Sequence, residues 1–403
     1  MNVLVHLSQR ATNIIKVVQH ETSLNIVQKG HCPSDVVTKI DLQIQKTIQY
    51  NLKQLYPKAR IICEEDEESI DDDIRPNIMP DELLKLKNKQ KIFEPEVLHN
   101  QASIRRLQYL KYIEDLLDFN YAFIQTDDVK RGLNDVFNNE VQEKDLTFWI
   151  DPLDGSKGLV EGHTHHLTTI IGICIKNRPL LGVVHKPFGC DPLAYNSGKT
   201  FVGLPQCGLY TVLQNLQTDY ENFENYTRYV PAFNRDENID RHLYQPRICG
   251  SHNKNQDSMD KLIYGTNPQK IERVAGSANK FVHMVENHSD FYVNLVPGFK
   301  FWDMCGSEAI LAARFGILTD AYKRPLFYDR KQHPTLQNGI IAAKNKAIYE
   351  LCERRIEKFT GLSLQQNHKL ISQEAQNERS MRKALRELEK MPDIKQTILR
   401  DGI

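Results

Sequence analysis

Asp151 and Asp154 stand two residues apart in the stretch Phe148-Trp149-Ile150-Asp151-Pro152-Leu153-Asp154-Gly155-Ser156. Phe148 to Ile150 read as the end of a buried strand, and Pro152 and Gly155 as the turn that follows. Pro152 fixes its own φ and biases Asp151 toward an extended backbone, so the turn is stiff and the carboxylates keep a preset separation. Two carboxylates held in this way can share a pair of Mg²⁺ ions, with the Leu153 carbonyl as a further ligand, because hard cations take oxygen. An acidic turn can equally do no more than cap the next helix, so the context decides. Glu64 follows a second short strand, Arg60-Ile61-Ile62-Cys63, and Asp303 lies in the first turn of a helix opened by Trp302. For Asp303 alone, the helix dipole is sufficient reason. Four carboxylates at one place would repel each other and any phosphate unless divalent cations neutralised them, which points to metal-assisted phosphate chemistry.

A seat for an anion is also legible. Val274-Ala275-Gly276-Ser277-Ala278-Asn279-Lys280 reads as a strand, a small-residue turn and a helix running to His288. The free N–H groups of such a helix start attract negative charge, and Lys280 adds a full positive one. Arg247-Ile248-Cys249-Gly250-Ser251-His252 repeats the strand and small-residue turn. Two other patterns fall away. His163, His165 and His166 lack matching acids or cysteines and read as a loop. Ser197-Gly198-Lys199-Thr200 mimics the end of a phosphate-binding loop, but Leu193 occupies the position that must be glycine.

The elements that must position these residues alternate between strand and helix, which makes the chain an α/β layered protein with its acids at strand ends and helix starts. Leu4, Leu7, Ala11, Ile14, Ile15 and Val18 mark an amphipathic first helix. Ser34 or Asp35 can cap a second, with Val37, Ile40, Ile44, Ile48 and Leu52 along one face and Asp41 beside it, either partnered or solvated at the rim. Residues 67–145 read as an inserted segment, with an acidic run, a Lys-rich stretch and a helix near Leu107 to Leu117. Leu167 to Ile175 and Leu180 to Val184 flank a polar turn as a hairpin. Residues 211–245 are polar and read as a surface excursion, and 346–403 as a charged helical extension beyond a 1–345 body.

With 403 residues and 40% apolar content there is ample material for a globular core. Lys plus Arg and Asp plus Glu both total 52, so no overall field favours nucleic acid or an anionic membrane. The eight cysteines form no Cys-x-x-Cys pair, against a structural zinc site or disulfide scaffold, and the longest apolar run, Leu167 to Ile175, is far too short to span a bilayer. A cytoplasmic protein with a small phosphorylated substrate, and neither nucleic acid nor membrane as partner, is the expectation. The oligomeric state is left open.

Trp149-Ile150-Asp151-Pro152-Leu153-Asp154-Gly155-Ser156 and Trp302-Asp303 resemble the paired signatures of the inositol monophosphatase superfamily of Mg²⁺-dependent, lithium-sensitive phosphatases. Thr38-Lys39-Ile40-Asp41 and Ile61-Ile62-Cys63-Glu64-Glu65-Asp66 resemble its two N-terminal motifs, in order. Within the superfamily, Asp-Pro-Leu-Asp-Gly-Ser-Lys, Gly250-Ser251-His252-Asn253-Lys254 and Gly276-Ser277-Ala278-Asn279-Lys280 are most similar to the 3′(2′),5′-bisphosphate nucleotidases. The resemblance implies a layered α-β-α-β-α sandwich of the inositol monophosphatase and fructose-1,6-bisphosphatase type, and removal of the 3′-phosphate of adenosine 3′,5′-bisphosphate to give AMP. It implies two or three Mg²⁺ ions on Glu64, Asp151, the Leu153 carbonyl, Asp154 and Asp303, with Asp41 and Ser156 preparing the attacking water. It also places Gly155, Ser156, Ser251, His252, Gly276, Lys280 and Asp303 against the substrate.

Three residues depart from the pattern: Cys63 for Gly, Ser156 for Thr, and Gly158 where the nucleotidases tend to carry an acid. Ser156 keeps the hydroxyl, whereas Gly158 bears on substrate identity. The long segment before Asp151 resembles inositol polyphosphate 1-phosphatases, so that activity, or that of an inositol monophosphatase, is the alternative. A haloacid-dehalogenase-type site is set aside because its two aspartates have one residue between them. A non-catalytic relative that only binds phosphate would be distinguished by the absence of Mg²⁺-dependent phosphate release.

Overall fold

A computed structural model describes residues 2–20, 26–28, 36–65, 76, 142–161, 163–190, 198–205, 207–214, 227–233, 239–251, 257–329 and 331–389. Nearly all of 67–145, together with Ser34, Asp35 and His252, lies outside the described residues. Helix α1 (Asn2–His20) is followed by β1 (Ile26–Gln28) and β2 (Val36–Thr38), an antiparallel pair, and by α2 (Lys39–Leu55) and β3 (Arg60–Cys63). Next come β4 (Leu146–Asp154), the short α3 (Ser156–Val160), β5 (Thr168–Ile175), β6 (Arg178–Lys186), β7 (Gly198–Leu204), β8 (Gly208–Gln214) and β9 (Thr227–Val230). The remainder is β10 (Arg247–Ser251), α4 (Asp257–Gly265), β11 (Lys270–Val274), α5 (Ser277–Val285), β12 (Phe291–Asn294), α6 (Phe301–Ala312), β13 (Ile317–Thr319), β14 (Ile340–Ala343), α7 (Lys346–Thr360) and α8 (Leu364–Glu389).

Strands β3 to β9 form a seven-stranded sheet in chain order, and a five-stranded sheet has the order β11-β10-β12-β14-β13. Side chains alternate across a strand, so strands of both large sheets feed two cores. In β4, Phe148 and Ile150 pack with α1 and α2, whereas Trp149 faces α5 and α6. In β12, Tyr292 joins that middle layer, while Phe291 and Val293 face α4, α7 and α8. The order is helix, sheet, helix, sheet, helix, which is the α-β-α-β-α sandwich expected. Among the described residues no helix is long and apolar enough to cross a membrane.

Several boundaries differ from the sequence reading. Strand β4 does not end at Ile150 but pairs with β5 as far as Asp154, with a register break between Asp151 and Asp154 where Pro152 has no N–H to give. The turn is confined to Gly155, at φ 81°. Helix α2 starts at Lys39, directly after β2, so Val37 is a strand residue. Asp41 is 3% exposed, which removes the solvated-rim alternative. Helix α5 stops at Val285, and the span read as a surface excursion holds part of β8 and all of β9. Helix α7, assigned by sequence to the extension, buries Ile348, Tyr349, Leu351, Cys352 and Ile356 in the outer core. The hairpin is as expected, turning through Lys176 and Asn177 at φ 46° and 64°.

How closely α6 approaches the large sheet is set by glycines. A Cβ added at Gly182 would lie 2.3 Å from the Gly306 carbonyl oxygen, and one at Gly203 2.4 Å from the Ile310 Cα. At Gly172 it would lie 2.6 Å from the Gly306 nitrogen. Three adjacent strands thus form a groove in which the backbone of α6 rests. Gly182→Ala should lower the unfolding free energy by about 3 kcal/mol, because backbone atoms cannot step aside as a flexible side chain can. Gly361→Ala, at φ 70° with nothing within 4 Å, should cost only about 1 kcal/mol of backbone strain. Urea unfolding of the two variants checks the contrast, and equal losses would mean that the groove is not tight.

Candidate active site

Each of the four acids is delivered by a different local device. Glu64 leaves the end of β3, and its N–H donates to the Ile150 carbonyl (3.0 Å), which fixes it beside β4. The next residue is clamped from α2: the Glu65 N–H donates to Gln45 Oε1 (3.0 Å) and Gln45 Nε2 to the Glu65 carbonyl (2.7 Å). Asp151 is 1% exposed and accepts the Leu153 N–H (3.1 Å). Asp303 accepts the Lys300 N–H (2.7 Å), so it caps α6 as well as facing the other acids. Trp149 and Phe301 meet edge to face with ring centroids 5.2 Å apart, and so bring the two signature segments together.

These acids form one electrostatic unit. Burial pushes the Asp151 carboxyl well above the ordinary carboxylate range, and the charges of Glu64, Asp154 and Asp303 push it further, as does a hydrogen bond shared with Glu64. Asp303 is raised in the same direction by burial and then by Asp154 and Glu64. Asp151 forms the floor, while Glu64, Asp154 and Asp303 keep some solvent exposure. Among the described residues no three His, Cys, Asp or Glu side chains are gathered tightly enough to hold an ion as they stand. The donor chemistry nonetheless fits Mg²⁺: all four side chains are carboxylates, and the raised pKa values of Asp151 and Asp303 mark a buried acidic charge that a cation would compensate.

Asp154 occupies the anion seat that the sequence suggests at the start of α5. Its Oδ1 accepts the Ser277 N–H (2.8 Å), and its Oδ2 accepts the Ala278 N–H (2.9 Å) and the Thr168 hydroxyl (3.0 Å). A carboxylate offers about four lone-pair positions, so about one remains for a cation. Gly155 and Gly276, at φ 81° and 78°, abut here: a Cβ on Gly155 would lie 3.6 Å from the Gly276 Cα, and one on either would lie 3.0 Å from the His166 carbonyl oxygen. That carbonyl accepts from Asn279 Nδ2, which gives the histidine turn Thr164–His166 a bracing role.

Lys280 is 5% exposed, and its ammonium bonds to the Gly276 carbonyl and lies 5.8 Å from the Tyr292 ring centroid. Burial lowers its pKa, against the opposing pull of Cys249, Asp154 and Asp303, so it is a countercharge behind the acids. The Ser251 hydroxyl pairs with the Tyr292 hydroxyl at 3.3 Å. Asp41 lies in the first turn of α2, and β2, immediately before that helix, packs on α3, which opens with Ser156. The Leu153 side chain is buried in the core against α1 and α2.

Three contributors escaped the sequence reading. Thr168 is one, because a β-branched strand residue gives no signal of bonding an acid fourteen positions away. The glycines under α6 are another, since strand glycines announce close approach without naming what approaches. The third is the hydroxyl of Ser277, a residue that the sequence reading placed in the anion seat without a role for its side chain; it is buried and has no hydrogen-bond partner among the described residues.

Residues 1–93 and 108–360 match the inositol monophosphatase family, so the match is interrupted only between 94 and 107, inside the 67–145 segment, and ends at 360. The chain is 26% identical over 348 residues to 3′(2′),5′-bisphosphate nucleotidase 1 of Rattus norvegicus, covering 85% of this chain and 90% of that protein. It is 22% identical over 345 residues to putative inositol monophosphatase 3 of Drosophila pseudoobscura pseudoobscura, covering 85% and 76%. Among solved structures, extragenic suppressor protein suhB of Bartonella henselae superposes with a TM-score of 0.54 at 17% identity, over 89% of this chain and 98% of that one. An IMPase of Thermotoga maritima gives 0.51 at 15% identity, over 88% and 97%. The sandwich, the four converging acids and a match over most of the sequence lead to one conclusion: the chain belongs to the inositol monophosphatase family.

Proposed function

We propose that the chain is a Mg²⁺-dependent phosphomonoesterase that removes the 3′-phosphate of adenosine 3′,5′-bisphosphate, leaving AMP and phosphate. The observation that carries this is the convergence of Glu64, Asp151, Asp154 and Asp303, two of them held above the ordinary carboxylate range largely by burial and one another's charge. Such a cluster is costly for folding and has a use once cations are shared with a substrate phosphate. Glu64, Asp151, the Leu153 carbonyl, Asp154 and Asp303 would hold two or three ions. Bound Mg²⁺ supplies the positive charge that neutralises carboxylates and phosphate together.

The remaining work falls to the chain's own groups. Asp41 and Ser156 hold the attacking water and take its proton. The water oxygen bonds to phosphorus as the bond to the 3′-oxygen breaks; that oxygen takes its proton from solvent, and the proton held at Asp41 passes to solvent, which restores the site. Gly155, Gly276 and the Ser277 hydroxyl border the substrate, and Ser251 lies on the nucleotide side with His252. Similarity to the rat nucleotidase over 85% of the chain supports the nucleotide substrate. The comparable coverage of the Drosophila protein favours an inositol phosphate as the second reading.

Phosphate release with and without Mg²⁺ tests the proposal, using adenosine 3′,5′-bisphosphate, its sulfated relative, inositol 1,4-bisphosphate and inositol 1-phosphate. Preference for an inositol phosphate would overturn the nucleotide assignment, and release independent of Mg²⁺ would overturn the mechanism. Lys280→Ala refines the substrate reading. If a second substrate phosphate draws the ammonium off the Gly276 carbonyl, KM should rise about tenfold for the bisphosphate and little for inositol 1-phosphate, the signature of lost binding. Equal losses of kcat on both would leave Lys280 only its role as a countercharge.

A further inference from the structure

Helix α8 lies wholly beyond residue 360, where the family match ends. The segment that it touches, Leu295 to Lys300, connects β12 to α6 and delivers Asp303. His368, 6% exposed, has Nδ1 2.9 Å from the Leu295 carbonyl oxygen. A carbonyl only accepts, so that nitrogen carries the proton. Three helical turns further on, Arg379 Nη2 donates to the Pro297 carbonyl (3.2 Å). Leu364 and Ile371, on the same stripe as His368 and Arg379, are buried in the outer core.

The segment's other side is held by residues 333–339. The Gly298 N–H donates to the Leu336 carbonyl (3.1 Å), the Leu336 N–H to the Phe299 carbonyl (2.7 Å) and the Phe301 N–H to the Pro334 carbonyl (2.8 Å). Lys300 Nζ donates to the Thr335 hydroxyl (2.6 Å). The same Lys300 gives its backbone N–H to Asp303. The segment is therefore clamped between two supports, one inside the family match and one outside it.

The geometry points to α8 as a strut that fixes the Leu295–Lys300 segment and, through it, the Asp303 carboxylate, with His368 and Arg379 as positioning residues. This rests on the proposed role of Asp303 as a cation ligand. Partners one step behind a ligand commonly govern metal affinity by about tenfold or more, and a strut acting through backbone should govern it by about three- to tenfold.

The test uses the full chain with His368→Ala, Arg379→Ala and the conservative His368→Asn, whose amide can still donate. Mg²⁺ affinity is measured by calorimetry, and amide hydrogen exchange is followed across 296–304. The two alanine variants should weaken Mg²⁺ binding about three- to tenfold and speed exchange in 296–304, and His368→Asn should restore both. Arg379 is exposed, so its variant keeps the test decisive should His368→Ala fail to fold. Exchange that rises along α8 while 296–304 stays as slow as in the wild type would overturn the strut. Failure of the wild-type chain to bind Mg²⁺ would instead count against the proposed function, with the exchange arm still deciding the strut.

Discussion

Asp151→Asn should lower Mg²⁺-dependent turnover by about three orders of magnitude or more, the scale of losing several kcal/mol of charge stabilisation, while the EDTA-treated variant unfolds at a higher temperature than the EDTA-treated wild type at pH 8. The two effects have one cause. Asparagine keeps the Oδ1 acceptor for the Leu153 N–H and offers Glu64 a permanent donor in place of a shared proton. It also removes the buried charge that the other acids oppose. Folding raises the pKa values of Asp151 and Asp303, so the native chain binds more protons than the unfolded chain between the ordinary carboxylate range and the raised values. Stability in EDTA therefore falls as pH rises through that window.

Buried histidines act in the opposite sense. His6 and His185 are lowered by burial to about 4 and about 3, and they add stability as pH rises from those values toward 6.5. They are common to both chains and cancel in the difference between them. Thermal unfolding of wild type and variant from pH 5 to 8 should show a gap that opens with pH in EDTA and closes when Mg²⁺ saturates the wild type. At a hundred times its dissociation constant, bound Mg²⁺ adds about 2.7 kcal/mol. Near-normal turnover in Asp151→Asn would sink the metal assignment. A variant less stable than the wild type in EDTA at pH 8 would reduce the cluster to an ordinary hydrogen-bonded network.

The parts of this site that were legible in the sequence are those where one residue type answers a local demand. Pro152 and Gly155 bracket a stiff acidic corner, and the alternating apolar residues around them give the strands. Gly276 marks the start of α5, although its occupant could not be read there: the anion at that seat is Asp154, from a segment more than a hundred residues earlier. Helix α8 was legible only as part of a charged helical extension, and not the donation of its His368 and Arg379 to two carbonyls of a distant segment. Backbone carbonyls carry no residue type, so contacts to them leave no pattern. The depth of Asp41 was open for a related reason, since an acid beside an apolar stripe suits either a rim or a pocket until the neighbouring layer is in place.

That depth underlies the second large effect. Asp41→Asn should lower kcat by about 10²-fold, the scale of losing a general base, with Mg²⁺ affinity nearly unchanged because Asp41 is outside the set of four acids. At 3% exposure the carboxylate is well shielded from bulk solvent, so its action on a water molecule requires that the site deliver that water. The packing of α3 on β2 supplies a route, since α3 begins at Ser156 and β2 leads directly into the turn that carries Asp41. Ser156→Thr should be nearly silent because the hydroxyl survives, whereas Ser156→Ala should match Asp41→Asn. If hydroxyl and carboxylate hold a single water between them, either loss releases it, and the double variant should be little worse than each single one. Steady-state kcat for the four variants, with Mg²⁺ titrated for each, decides the matter. Losses that multiply would separate the two residues, and Asp41 would then act as a buried cap of α2 with no part in moving the proton.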